Sequence, residues 1–412
     1  MTVERATHPA GVPLIRRLNG AAVLDALRAA PSLTASEIMT ATGLSRVSAH
    51  AVCDDLIEHG LVREVEATPS RAPSGLGRPS RTYAFEARAG FVVGVDLAAT
   101  AVTVKVSDLR GETVGTASRT LLRSQRPAAA LVADARELID QALAEGGVSP
   151  ERVLAVVVGV AAPVGRDGRV LWPNADIPGL DEIDLRAELG AGRAWSVLVE
   201  NDANLGILGE RWRGAASGSD NAVMVLSGNG LGAGVVEDGR LVRGFRGAAG
   251  ELHVLSMVEG VGDAGGSTFL ARMMGLQAVA YYLLREDRPA DAPGARIAEL
   301  AGGRPEQITA AHVFQAAREG DEAAVGIVHA VAERLARTVA VLSALLDPEV
   351  VVIGGDVADL RDDDLLALIR ARLHELTRAE PRLAMSTLGG DVVVTGAVRA
   401  ALDHALPRLL DG

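Results

Sequence analysis

The run from Ser196 to Glu210 reads Ser-Val-Leu-Val-Glu-Asn-Asp-Ala-Asn-Leu-Gly-Ile-Leu-Gly-Glu. Its first four residues have the character of a short apolar β-strand, Glu200 to Asn204 form a polar turn, and the residues from Ala203 onward have helix-forming composition. Asp202 therefore falls at a strand-to-helix junction, where a carboxylate faces the mouth of a sheet. In an α/β enzyme the crevice beyond the carboxyl ends of the strands is where ligands bind, and a carboxylate in it can take a proton from a substrate hydroxyl. Aspartate at such a place is also a common helix cap. The choice between chemistry and capping rests on the rest of the chain.

The elements that must position this run belong to a chain of 412 residues, long enough for two or three domains. It is 48% hydrophobic but only 3% aromatic, so its cores must be built from Ala, Val and Leu. No stretch reaches the roughly 18 uninterrupted apolar residues of a membrane span, and Glu4, Arg5 and His8 interrupt any signal-peptide core. The expectation is a cytoplasmic protein without a membrane partner. A single cysteine, Cys53, excludes an internal disulfide and a cysteine-cluster zinc site, and suits a small apolar filler in a helix. The net charge is -12, yet residues 1 to 90 hold ten Arg against nine acidic residues. Nucleic-acid binding is therefore expected to be local and N-terminal.

Residues 18 to 30 have apolar positions at helical spacing and end before Pro31. From Thr34 to Val62 follow a short helix, a turn at Gly43 and a longer helix, the order of a helix-turn-helix. In that geometry the start of the second helix lies nearest the bases, which selects Ser45, Arg46, Ser48, Ala49 and His50, with Leu56, Ile57, Leu61 and Val62 as anchors. An ordinary three-helix bundle with a polar face has the same pattern. The next stretch favours DNA binding: a strand from Leu61 to Glu66, a Pro-, Ser- and Gly-rich loop from Ala67 to Ser80, and a strand from Arg81 to Phe85 make a hairpin wing. Arg71, Arg78 and Arg81 stand between Glu66 and Glu86 with no acid among them, and a wing arginine can enter a narrow minor groove. Ser45, Arg46, Ser48, His50, Arg78 and Arg81 are the candidate DNA contacts.

From Phe91 three strands follow in a meander (91–97, 101–108 and 112–119), then a helix at 127–145 and a buried strand at 153–160. The order resembles the start of each lobe of the ribonuclease-H-like fold of actin and sugar kinases. Strands at 221–226, 232–237 and 240–243, then helices, then 350–355 repeat it. Such a duplication places a ligand cleft between two lobes.

Five segments carry a closer resemblance: Pro173-Asn174; Glu200-Asn-Asp-Ala-Asn; Ser227-Gly-Asn-Gly-Leu-Gly-Ala-Gly; Gly247-Ala-Ala-Gly-Glu-Leu-His; and Asp347-Pro-Glu-Val-Val-Val-Ile-Gly-Gly. In this order and spacing the chain from about Gly90 resembles the ROK family of repressors, open reading frames and sugar kinases, and the winged helix matches its repressor branch. The fold this implies is α/β: an N-terminal winged helix-turn-helix at 1–88 and a two-lobed ribonuclease-H-like ROK domain at 89–412. The resemblance makes Asn174, Asn201, Asp202, Glu251 and His253 ligands of sugar hydroxyls, with Asp202 as the catalytic base if kinase activity is retained. Short polar side chains suit a polyol, because a site that pairs each hydroxyl rejects analogues lacking one. In isolation Glu251 reads as a surface carboxylate and His253 as a satisfied histidine.

Two departures qualify what the resemblance implies. The family's first phosphate loop is Asp followed by Gly-Gly-Thr, whereas this chain has Asp96-Leu-Ala-Ala-Thr. Glycine lets backbone lie against phosphate oxygens, which Ala98 and Ala99 impair. Asp96, Thr100, Gly228, Gly230, Gly354 and Gly355 then form a vestigial nucleotide loop, and ATP is not expected as a cofactor. The family's zinc cysteines are also missing, since Val258 to Phe269 contains none, so no metal is expected. The family's sugar-binding glutamate is replaced near Thr268. The helices at 268–285, 310–318 and 322–346 read as core and subunit contacts. The resemblance implies a homodimer or dimer of dimers on a palindromic double-stranded operator.

These observations lead to a DNA-binding regulator, a repressor of sugar or amino-sugar metabolism, answering to a small carbohydrate. The alternative is an ATP-dependent sugar kinase with an appended DNA-binding domain. A third reading is a regulator tuned by a protein partner alone.

Overall fold

The computed structural model describes residues 11–66, 81–121, 126–252, 265–360 and 363–410. Helix α1 (Gly11–Arg28) begins ahead of residue 18 and takes Pro13 into its first turn, where the missing N–H costs nothing. After β1 (Leu33–Thr34), α2 (Ala35–Thr42) opens with a capping box: Thr34 Oγ1 accepts the Glu37 N–H, and the Glu37 carboxylate accepts the Thr34 N–H. Gly43, at φ 71°, ends α2, a left-handed position at which glycine carries no Cβ penalty. Ser45 then caps α3 (Arg46–Glu58). Strands β2 (Val62–Val65) and β3 (Thr82–Phe85) pair antiparallel in a sheet of order β1-β3-β2, which makes this unit a winged helix. Its core holds Leu27, Ile38, Leu56 and Tyr83 together with Cys53, whose thiol is pushed up to about 11 by burial.

The chain passes through a single 3-10 turn, Ala87–Ala89, into the first lobe. Its elements are β4 (Phe91–Leu97), β5 (Ala101–Asp108), β6 (Thr113–Thr120), α4 (Ala128–Gly146), β7 (Val153–Val160), α5 (Leu185–Gly190), β8 (Ser196–Asn201) and α6 (Asp202–Arg213). The sheet order is β6-β5-β4-β7-β8, with an antiparallel meander continued by parallel strands. The apolar run of β7 is what a parallel strand needs when both of its faces are covered. The second lobe repeats the plan with β9 (Ala222–Ser227), β10 (Leu231–Glu237), a β11 of only two residues (Arg240–Leu241), β12 (Val350–Gly354) and a strand not foreseen from sequence, β13 (Arg382–Met385), in the order β11-β10-β9-β12-β13. Its helices are α7 (Ser267–Leu283), α8 (Ala295–Leu300), α9 (Ala310–Arg318), α10 (Glu322–Leu346), α11 (Asp356–Asp359) and α12 (Asp363–Leu376).

The last helix, α13 (Val392–Ala405), returns to the first lobe and crosses α6 with backbone against backbone. A Cβ on Gly396 would stand 1.8 Å from Leu205 O, and one on Gly209 would stand 2.7 Å from Val392 O. Both helices start beside the two sheets' carboxyl ends and run toward the winged helix. Among the described residues no helix is long and apolar enough to cross a membrane.

Candidate functional site

A cavity of about 320 Å³ lies where the carboxyl ends of both sheets face each other. The first lobe contributes Asp96 from β4, Ala98 to Thr100 from the β4–β5 turn, Ala161 and Ala162 after β7, Asn174, Asp176 and Ile177 from the following loop, and Asn201 and Asp202 from the β8–α6 junction. The second contributes Gly228 to Gly232, Glu251, and Gly355, Asp356 and Asp359 after β12; Gly389, Gly390, Val392 and Val393 close it at the start of α13. Its placement is the crevice in which open α/β sheets bind ligands.

The local fold explains why Asp202 is not a cap. Asn201 takes that role: its Oδ1 accepts the Asn204 N–H at 3.1 Å, and its amide hydrogens go to Ala162 O at 3.2 Å and to Asp202 Oδ1 at 3.0 Å. Asp202 Oδ1 also accepts the Ala203 N–H at 2.7 Å. Burial pushes the Asp202 carboxyl up to about 7; the Ala203 N–H opposes the shift and the charge of Glu251 adds to it. Asp96 goes further, to about 8, through burial and then the charges of Asp202, Asp356 and Asp391. A carboxylate near neutrality is suited to accept a proton from a hydroxyl. Behind the junction, buried Glu200 accepts from the Asn201 N–H at 3.0 Å and from Asn204 Nδ2 at 2.9 Å. Its other oxygen pairs with Arg243 of the second lobe at 2.7 Å, so this ion pair ties one lobe to the other.

Asn174, Asn201, Asp202 and Glu251 all line the cavity, while His253 lies outside the described residues. The two amides are already engaged by the framework. Asn174 donates to Ala161 O at 2.6 Å and its Oδ1 accepts the Asp176 and Ile177 N–H groups. Asn201 spends both amide hydrogens as given above, one of them on holding Asp202.

Of the nucleotide-loop candidates, Asp96, Thr100, Gly228, Gly230 and Gly355 line the cavity. Gly354 does not, which corrects the sequence expectation: it ends β12, and a Cβ there would stand 2.2 Å from Met224 Cε, so its glycine serves packing. Ala98 and Ala99 form an ordinary turn, with the Ala98 N–H bonded to Ala101 O at 3.0 Å and neither residue at positive φ. Sequence reasoning missed Asp176, Asp356 and Asp359. Only Asp356 carried a signal, following directly on the Gly354-Gly355 pair.

In the winged helix Arg46 and Val47 are exposed at the start of α3, Val47 by 80%. Val47 was not singled out by sequence, although an apolar side chain there suits a thymine methyl. Ser45 Oγ caps α3 and shares a hydrogen bond with Ser48 Oγ at 2.9 Å. His50 and Arg81, expected as DNA contacts, each have partners within the domain. His50 Nδ1 meets Tyr83 Oη at 2.9 Å, and Arg81 pairs with Glu64 and with Asp54, each at 2.9 Å, while stacking over Tyr83. Arg81 faces two carboxylates because Asp54 of α3 and Glu64 of β2 flank the start of β3. Arg78 lies outside the described residues.

Comparison with known proteins adds to this geometry. The model of the ROK family matches residues 92–402, and that of the IclR helix-turn-helix domain matches residues 18–66. A xylose repressor of Caldicellulosiruptor bescii is 24% identical over 95% of this chain and 97% of its own length. A glucokinase of Halalkalibacterium halodurans is 28% identical over 74% of this chain and 92% of its own. Among solved structures, a ROK family transcriptional regulator that is a homolog of the E. coli MLC protein aligns with TM-score 0.73 at 22% identity, over 97% of this chain and 100% of that one. A ROK glucokinase from Streptomyces griseus, solved with glucose and AMPPNP, aligns with TM-score 0.62 at 27% identity, over 77% and 99%.

Proposed function

The chain belongs to the ROK family, and from that premise we propose that it is a DNA-binding transcriptional regulator, a repressor, whose kinase-like cleft senses a small carbohydrate. The observation that carries this reading is one of coverage. The xylose repressor matches 95% of the chain, too much to leave out the winged helix, whereas the glucokinase matches 74% of it. The cleft supports a polyol through Asp202, Glu251 and the amide-braced junction around them. The protein would act in the cytoplasm, as a homodimer or dimer of dimers on a palindromic operator, with two α3 helices in successive major grooves.

The path by which a ligand would reach the DNA is physical. α6 begins at Asp202 and ends at Trp212 and Arg213. Trp212 packs on the β5–β6 turn, where a Cβ on Gly111 would stand 2.4 Å from Trp212 Cη2, and Arg213 pairs with Glu112 at 2.9 Å. The adjacent Arg110 donates to Leu27 O at 3.1 Å, Arg28 O at 2.5 Å and Ala30 O at 2.9 Å, the last carbonyls of α1 and its exit. α13 starts at the cavity too, and the 3-10 turn that follows it places Leu410 against Gly20 of α1. Ligand-driven closure of the lobes would move both helices and re-aim the winged helix, changing operator affinity by the ligand's preference between the two states.

The test is operator binding by fluorescence anisotropy, on fragments selected from genomic DNA, across a panel of free sugars including D-xylose and D-glucose. The expected result is a shift of operator Kd of about 5- to 150-fold by at least one sugar that binds the protein. Sugars that bind and leave operator Kd unchanged would refute the sensor role. The kinase reading is favoured by one observation, the Asp202 carboxyl poised near 7. ADP release on the same panel, abolished by Asp202→Asn, would establish it.

A further inference from the structure

The start of α7 is built onto the β9–β10 turn. The Gly266 N–H donates to Asn229 O at 2.7 Å, the Ser267 N–H donates to Ser227 Oγ at 2.9 Å, and Ser227 Oγ donates to Ser267 Oγ at 2.7 Å. A Cβ on Gly266 would stand 2.0 Å from Gly230 O and 2.3 Å from Gly228 O, so the start of the 17-residue α7 is seated directly on this turn. The Gly266 and Ser267 N–H groups at the start of α7 therefore already serve protein acceptors. Asp356, which follows the neighbouring strand β12, occupies the face of the same turn: a Cβ on Gly228 would be 2.8 Å from Asp356 Oδ2 and 3.1 Å from its Cγ. The space that a glycine loop keeps open for a phosphoryl group is thus bordered by a carboxylate.

The cavity is lined by Asp96, Asp176, Asp202, Glu251, Asp356 and Asp359, and no Lys or Arg lines it among the described residues. The cations of the neighbouring framework are committed elsewhere, Lys105 to Asp391 at 2.8 Å and Arg243 to Glu200 at 2.7 Å. Among the described residues no three His, Cys, Asp or Glu side chains are grouped to hold a metal ion.

We propose that Asp356 is a specificity-determining residue that makes the cleft refuse nucleotides and phosphorylated sugars, so that its ligand is an unphosphorylated polyol, neutral or carrying an amine. The proposal rests on the sensor reading for the identity of the ligand as a sugar. The refusal is repulsive rather than steric: like charges brought together out of water are costly, and a site excludes the wrong ligand by being built against it. It also places the block on the second lobe, opposite the two alanines of the β4–β5 turn, which take ordinary turn geometry.

The experiment is calorimetric titration of the full chain with ATP, with and without Mg²⁺, and with D-glucose and D-glucose 6-phosphate. The variants are Asp356→Asn, which keeps the shape, Asp356→Gly, which reopens the turn, and Ala98→Gly/Ala99→Gly. The expected result is that Asp356→Asn or Asp356→Gly gains at least about 10-fold in ATP affinity over the wild type, while the double glycine variant gains less. If Asp356→Gly does not fold, the isosteric Asn variant decides. Tight ATP binding by the wild type that needs Mg²⁺ and is lost in Asp356→Asn would overturn the proposal, because the carboxylate would then be recruiting the nucleotide through the metal. Equal ATP affinity in wild type and both Asp356 variants, or glucose 6-phosphate bound more tightly than glucose by the wild type, would overturn it as well. The ATP arm needs no sugar, so a chain that ignores every sugar would sink the sensor reading while the test of Asp356 still stands.

Discussion

A carboxyl whose pKa rises on folding couples stability to pH in a defined direction. Asp96 goes from 3.8 to about 8, so between these values the folded chain holds a proton that the unfolded chain has released. Stability contributed by this group is full below 3.8 and is lost as pH rises through 8; Asp202 adds the same trend up to about 7. Asp96→Asn removes the larger part. Its Tm should exceed the wild-type value by a margin that grows from acid pH to pH 8, reaching at least about 3 °C. Differential scanning calorimetry over that range checks it, and a margin independent of pH would mean that Asp96 ionises normally. At the same scale Asn201 teaches how little residue type says about role. Asn201 and Asp202 are adjacent and both suited to capping, and the competition for the Asn204 N–H decides that the amide caps and the carboxylate faces the cavity.

At the scale of elements, glycines that look alike in the sequence differ in function. Gly396 lets α13 meet α6 at the Leu205 carbonyl, and backbone cannot yield to a methyl at 1.8 Å. Gly396→Ala should therefore cost about 3 kcal/mol in urea unfolding, the upper end for overpacking. Gly230 has nothing within 4 Å of its Cβ position and no positive φ, so Gly230→Ala should stay within about 0.5 kcal/mol of wild type. Equal costs for the two would contradict the packing described for α6 and α13. The winged helix shows the same division within one motif. Arg46 is exposed at the start of α3, whereas Arg81 is tied to Asp54 and Glu64. Arg46→Ala should lower the salt slope of operator binding by about 1, the signature of a lost phosphate contact, with no matching loss of thermal stability. An unchanged slope would remove Arg46 from the interface.

For the whole molecule the question is how a cleft in one domain bears on a helix in another. Arg110 is the clearest joint, a single guanidinium on three carbonyls at the end of α1. Arg110→Ala should leave sugar affinity and unliganded operator affinity each within about threefold of wild type, while the ratio of operator Kd with and without sugar falls toward 1, because coupling is a free energy separate from either binding step. A variant that keeps the full ratio would show that the signal travels by α13 and Leu410 instead.

Much of this molecule was legible in its sequence, because local rules govern what was read. The short helix after Thr34, the turn at Gly43, the apolar run of β7 and the polar junction at Asp202 each depend on neighbours a few residues away. Periodicity and turn chemistry are short-range, so they determined the winged helix, the repeated meander and the place of the central carboxylate. Tertiary structure alone decided the company that carboxylate keeps. Asp176, Asp356 and Asp359 reach the cavity from a loop of one lobe and from beyond β12 of the other, and Arg81 and His50 are engaged by groups on other elements. Charge repulsion, burial and competition for hydrogen bonds act through space, and a linear pattern records none of the distances on which they depend.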